Sequence, residues 1–195
     1  DLDGENYELP MAGEFNVRNA AMAICSAKFS GFSSDEIRAG LLSFEGVARR
    51  QEVRGIAGGV RVIDDFAHHP TAIGLAIDSL RQQYPDSRMW VIFKPRSNTT
   101  RRNIFQDELA ASLSKADLAV VPAVPDPEKV AEEDRLDPGK LVADVKASGT
   151  SCWYCETVGD IVELVAKESQ EGDTVAVLSN GGFGGIHQKL LDRLG

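Results

Sequence analysis

Cysteine is scarce in this chain: Cys25, Cys152 and Cys155 are the three thiols among 195 residues. A chain of that length buries roughly 70% of its unfolded surface without staples. An odd thiol count therefore excludes a disulfide scaffold and fits a reducing, cytoplasmic setting. Long apolar runs are also absent, and none approaches the roughly 20 residues that a membrane-spanning helix needs, which excludes a membrane partner. Positive charge is in deficit. Twenty-one Lys and Arg against 30 Asp and Glu leave a net charge of −9, no footprint for a phosphate backbone and no nucleic-acid partner. The chain has no G-x-x-x-x-G-K-[ST] phosphate loop. Cys152-Trp-Tyr-Cys155 lacks a second ligand pair at zinc spacing, so it reads as buried structural cysteine, with no metal site. The chain begins at Asp1 without Met and shows no leader pattern, so it is expected to be a processed protein or a piece of a longer one.

What is present is an ordinary globular composition, 43% hydrophobic and 26% charged. Helical spacing is expected over 14–30, capped by Asn16 or Asn19, and again after Ser33-Ser34-Asp35-Glu36. From about residue 50 the pattern changes. Strands are expected at 60–65, 89–93, 118–121, 152–155 and 174–178. Helices are expected at 70–84, 104–113, 140–147 and 158–168, with a last one ending near 194; residues 122–138 read as a loop. Five alternations of strand and helix predict an α/β fold with a doubly wound, mostly parallel sheet. Ligands of such sheets bind beyond the carboxyl ends of the strands.

Three segments follow strands and carry chemistry. Asp64-Asp65-Phe66-Ala67-His68-His69-Pro70 places two acids and two histidines where a strand meets a helix. Such carboxylates suit ribose hydroxyls or a cation, and His suits hydrogen bonding or metal. Lys94-Pro-Arg96-Ser-Asn-Thr-Thr-Arg101-Arg102 concentrates four cations in an acidic protein, a pattern suited to carboxylates or phosphates. The Ser179–Gly185 loop permits close backbone approach or a tight turn, and the helix after it offers N–H groups to an anion. It follows the last strand, with no βαβ unit beyond it, which excludes a dinucleotide fingerprint.

Taken together, Gly13-x-x-Asn16-x-x-Asn19-Ala20-x-x-Ala23, Gly46-x-x-Arg49-Arg50-x-Glu52 and Asp64 to Thr71 resemble the Mur ligases, the ATP-dependent amide-forming enzymes of bacterial cell-wall synthesis. The His-His-Pro form resembles the branch acting on UDP-N-acetylmuramate. Phe93–Arg102 and Ser179–His187 most resemble its peptidoglycan-recycling members, which join the tripeptide L-alanyl-γ-D-glutamyl-meso-diaminopimelate to that sugar nucleotide through an acyl phosphate. The resemblance spans almost the whole chain. It implies that residues 1–49 end a central ATP-binding domain and that 50–195 form the Rossmann-like C-terminal domain. It further implies adenine contact at Asn19, nucleotide contact at Arg50, ribose contact at Asp65, and His68 and His69 facing the reaction centre. Phe15 stands where the family has His. The peptide is expected at Lys94, Arg96, Arg101, Ser179, Asn180 and Phe183. ATP and Mg²⁺ are the implied cofactors, held mainly by parts of the protein outside these residues, so the chain alone is expected to be inactive. An L-alanine-adding ligase and a non-catalytic Rossmann-like module for an anionic small molecule are the competing readings. A third is an enzyme of nucleotide sugars or amino acids built on Asp65 and His68.

Overall fold

The continuous apolar runs become strands covered on both faces in the computed structural model, which describes Leu2 and residues 4–195. Among the described residues, six strands form one sheet: β1 (Glu52–Ala57), β2 (Val60–Asp65), β3 (Met89–Phe93), β4 (Leu118–Pro122), β5 (Ser151–Cys155) and β6 (Thr174–Leu178). Their spatial order is β1-β2-β6-β3-β4-β5. Every neighbouring pair is parallel except β1 with β2. β3, β4 and β6 are buried at each position, which is why their sequences show no polar alternation.

Alternate residues of each strand feed two apolar cores. Met89, Val91 and Phe93 face one side with Ile63, Ala119 and Ala176, under α3 (Pro70–Gln83), α4 (Gln106–Leu113) and α5 (Pro138–Ala147). Trp90 and Ile92 face the other with Val62, Val120 and Val175, under α6 (Val158–Glu168) and α7 (Ile186–Leu194). The result is the expected doubly wound α/β sandwich. Cys152 joins the first core and Cys155 the second, because residues three apart on a strand point to opposite faces. The two thiols cannot share a bridge or a metal ion. Burial pushes the Cys152 thiol up to about 11.

Two helices precede the sheet, α1 (Glu14–Phe29) and α2 (Ser34–Leu42), and neither contributes to the two cores. The expected helix start at Ser33-Ser34-Asp35-Glu36 is a full capping box: Ser33 accepts from the Glu36 N–H, and the Glu36 carboxylate accepts from Ser33.

The structure corrects several boundaries. Neither Asn16 nor Asn19 caps α1; both lie inside it, and Gly13 stands at the N-cap with a φ of 99°. Tertiary contact sets that position, since a Cβ on Gly13 would lie 2.6 Å from Ser79 Oγ on α3. Asn16 instead donates back to the Ala12 carbonyl at 2.6 Å. α5 begins at Pro138 rather than Lys140, with Asp137 accepting from the Lys140 N–H and Pro at the first helical position. Residues 122–138 hold two short 3-10 turns, Pro127–Lys129 and Glu132–Asp134. Strand β1 went unread. It is largely exposed and carries a bulge between Val53 and Gly55, which breaks the two-residue alternation.

Candidate functional site

β6, the last strand in the chain, lies between β2 and β3. In register, Asp65 pairs with Leu178 and Leu178 with Phe93. The segments after these strands, starting at Phe66, Ser179 and Lys94, therefore leave the sheet side by side. Those are the three segments singled out for their chemistry, and the sheet order gathers them at one edge.

On one side the segment that follows β2 meets α1 and α2 across a cavity of about 1010 Å³. Asn19, Arg50 and Asp65, distant in sequence, all line it, together with Asn16 and Gln51. Asp65 is held firmly: Oδ1 accepts the Ala67 N–H at 2.7 Å and Oδ2 the Gln51 N–H at 2.9 Å. Burial pushes its carboxyl above the usual range, opposed by those two donors and by Arg50. The guanidinium groups of Arg49 and Arg50 both stand over the Phe66 ring, 5.1 and 5.3 Å from its centre.

The other side is cationic. Lys94 donates to the Gly182 carbonyl at 3.1 Å and sits 4.7 Å from the centre of the buried Phe183 ring. Burial, then Arg96 and Arg101, hold its ammonium below the usual lysine range. Arg101 is buried and reaches Asp126 at 3.2 Å, leaving its Nε without a hydrogen-bond partner. The exposed Arg96 lies against Gly181 so closely that a Cβ there would fall 1.5 Å from its guanidinium. Ser179 Oγ donates to the Gly181 carbonyl at 3.0 Å, and Asn180 Oδ1 is buried without a partner. Lys94, Arg96, Arg101, Ser179, Asn180 and Phe183 are thus gathered as a group. Arg102 departs from it and pairs with Asp134 at 2.9 Å.

The two histidines lie outside the cavity lining. His68 Nδ1 is 2.9 Å from the Phe66 carbonyl. His69 caps α3, accepting from the Thr71 N–H, and its ring meets Phe105 edge-on at 4.7 Å.

Two residues that sequence reasoning assigned no role stand beside the Ser179–Gly185 loop, outside both the cavity lining and the cationic group. Arg49 donates to Asp64 Oδ2 at 3.2 Å and to the Ser179 carbonyl at 2.5 Å. His187, the second residue of α7, brings Nε2 to 3.4 Å from Asp64 Oδ1. Burial holds the His187 imidazole below the usual histidine range against the pull of Asp64. In sequence Arg49 adjoins Arg50 and His187 is the one histidine outside the His68–His69 pair, but neither fact points to Asp64.

Among the described residues no group of three or more His, Cys, Asp or Glu side chains is placed to hold a metal ion, and no helix is long and apolar enough to cross a membrane.

Comparison with known proteins agrees with this architecture. Residues 49–181 match the family described as Mur ligase, glutamate ligase domain. Over 99% of its length the chain is 41% identical to the UDP-N-acetylmuramate–L-alanyl-γ-D-glutamyl-meso-2,6-diaminoheptandioate ligase of Escherichia coli (strain K12), of which it covers 41%. The crystal structure of a murein peptide ligase from Psychrobacter arcticus superimposes over 97% of this chain and 38% of its own, at 35% identity and a TM-score of 0.73. The UDP-N-acetylmuramate–alanine ligase of Thermotoga maritima shares the fold over 98% of this chain and 41% of its own, with a TM-score of 0.78 at 22% identity. The chain thus spans about two-fifths of the length of these relatives. On the family match and the identity to the E. coli ligase, this chain belongs to the Mur ligase family.

Proposed function

We propose that the chain is the C-terminal part of an ATP-dependent ligase of peptidoglycan recycling that joins L-alanyl-γ-D-glutamyl-meso-diaminopimelate to UDP-N-acetylmuramate. The observation that carries this reading is the placing of Asn19, Arg50 and Asp65 on one cavity beside a separate group of three cations. In this reading residues 1–49 end the ATP-binding domain and residues 50–195 form the peptide-receiving domain.

The cavity suits the nucleoside end of ATP. Ala20, Ala23 and Ile24 supply an apolar wall for a base, Asn19 an amide for its edge, Asp65 an acceptor for ribose hydroxyls, and Arg50 a cation toward phosphate. Among the described residues no three His, Cys, Asp or Glu side chains converge as a metal site, and no step here runs through Mg²⁺. Lys94, Arg96 and Arg101 suit the carboxylates of the tripeptide, and Asn180 Oδ1 offers an acceptor to one of its N–H groups. His68 and His69 flank this edge and receive no proton-transfer step, because one is near its own loop carbonyl and the other is spent on a helix cap. The contribution of these residues is positioning. They hold the amine and the activated carboxyl at near-attack distance, which is worth several kcal/mol of barrier, up to about 7–11 in well-oriented systems.

The test joins two measurements. The 195-residue chain is expected to bind the tripeptide and to show no ligation. The full polypeptide encoded by the gene is expected to form UDP-N-acetylmuramoyl-tripeptide with ATP. Incorporation of L-alanine in preference to tripeptide would move the assignment to the L-alanine ligases, which are also relatives, at 34% identity. Ligation by the 195 residues alone would overturn the division of labour.

A further inference from the structure

We infer that His187 is a positioning residue for the peptide side of the site, acting through Asp64 and Arg49 on the Ser179–Gly185 loop. The inference rests on the proposed function for what the loop binds, and on geometry for how the loop is held.

The loop is pinned at both ends by one carboxylate. At its start, Arg49 donates to the carbonyls of Ser179 at 2.5 Å and Gly181 at 3.5 Å, while its Nε holds Asp64 Oδ2 at 3.2 Å. At its end, α7 turns His187 back so that Nε2 stands 3.4 Å from Asp64 Oδ1. Asp64 Oδ1 and His187 Nε2 are both buried, neither has a hydrogen-bond partner, and each is the polar atom that the other faces at 3.4 Å. A buried carboxylate oxygen and a buried ring nitrogen facing each other with no alternative are complementary only when the nitrogen carries a proton. With that proton on Nε2, a small approach of the two groups makes the contact the second tie on the loop.

The groups around the imidazole support a role in holding rather than in chemistry. Asp64 faces it from β2, Arg49 from the segment before β1, and Glu52 and Arg54 from β1. None of these belongs to the cavity or to the cationic group. Yet Asp64 adjoins Asp65, Arg49 adjoins Arg50, and Arg49 and Arg50 both contact the Phe66 ring. A shift of His187 therefore reaches the peptide loop through Asp64 and the Arg49 hydrogen bonds, and the nucleotide side one step further on, through the backbone and the Phe66 ring. The expected signature is a selective loss on the peptide side.

The experiment uses the 195-residue chain with two substitutions. His187→Ala removes the ring nitrogen, and His187→Gln returns an amide N–H close to the Nε2 position. Amide hydrogen exchange of residues 181–185 is measured beside tripeptide binding by calorimetry. His187→Ala is expected to speed loop exchange at least tenfold and to weaken tripeptide binding about tenfold, and His187→Gln to restore most of both. Unchanged loop exchange in His187→Ala overturns the inference. So does faster exchange that Gln fails to rescue, since that marks simple packing. If the unsubstituted chain ignores the tripeptide while exchange rises and is rescued, the peptide assignment fails and the positioning role stands.

Discussion

Single residues carry sharply different loads at the two ends of the sheet. At the amino ends of the strands Asp173 is fully engaged: it accepts from Arg88 at 2.8 Å, from the Trp90 indole at 2.8 Å and from the Gln170 N–H at 3.0 Å. Burial pushes its carboxyl up, but the Arg88, Gln170 and Trp90 donors outweigh burial and hold it below the usual range. A depressed carboxyl contributes stability above its unfolded pKa of roughly 3.9 and loses it as pH falls through the folded value. Asp173→Asn is therefore expected to cost about 2–3 kcal/mol at pH 7 and to flatten the acid limb below about pH 4, as urea titrations across pH would show. At the carboxyl ends, polar groups are left open instead, as with Arg101 Nε and Asn180 Oδ1. Gly181 shows why that region tolerates little. Its φ is not left-handed, so Gly181→Ala strains no backbone, but the new methyl occupies the place of the Arg96 guanidinium. Because Arg96 is exposed and able to swing aside, stability is expected to change by less than about 1 kcal/mol. Tripeptide binding is expected to fall about tenfold, with calorimetry and denaturation on the same variant separating the two effects.

Elements were legible in the sequence where local physics decides them. β3, β4 and β6 are apolar throughout because both faces are covered, and α3 starts at Pro70 because proline suits a first helical turn. β1 was missed because its pattern is broken by Gly55 and its faces are half open. The signal that could have found it is Gly58-Gly59, a two-glycine hairpin turn with φ of 54° and 73°. The turn is also a docking point, since a Cβ on Gly58 would stand 2.5 Å from the Leu194 carbonyl at the end of α7. Gly58→Ala combines a left-handed φ with a backbone clash, so a loss of about 1–3 kcal/mol is expected in chemical denaturation. Among the candidate site residues, the position of Asp65 and of the cationic run after strands was legible. Arg49 and His187 were not, because each becomes informative only when Asp64 is seen between them.

At the scale of the whole molecule, the two ends of the chain differ in how much apolar surface they bury. α1 and α2 contribute Ile24 and Ile37 as buried hydrophobics, whereas Met22, Phe29, Phe32, Leu42 and Phe44 are exposed. The sheet has a packed core on each face. Native-state hydrogen exchange is expected to follow: α1 and α2 should open locally at low cost, and β2, β3 and β6 should exchange last, through global unfolding. Equal protection in both regions would count against this. The sequence by itself determined the class of fold and the candidate chemistry, because burial on two faces, helix caps and glycine turns act over a few residues. It also placed acids, cations and glycines after particular strands. Only the tertiary structure decided that these lie at one edge of the sheet, because inserting the last strand between β2 and β3 is a choice of sheet order that no local pattern encodes. That insertion sets Asp65, Leu178 and Phe93 level and brings His187 within reach of Asp64, while the placing of α1 and α2 beside α3 puts Asn19 and Arg50 on one cavity with Asp65.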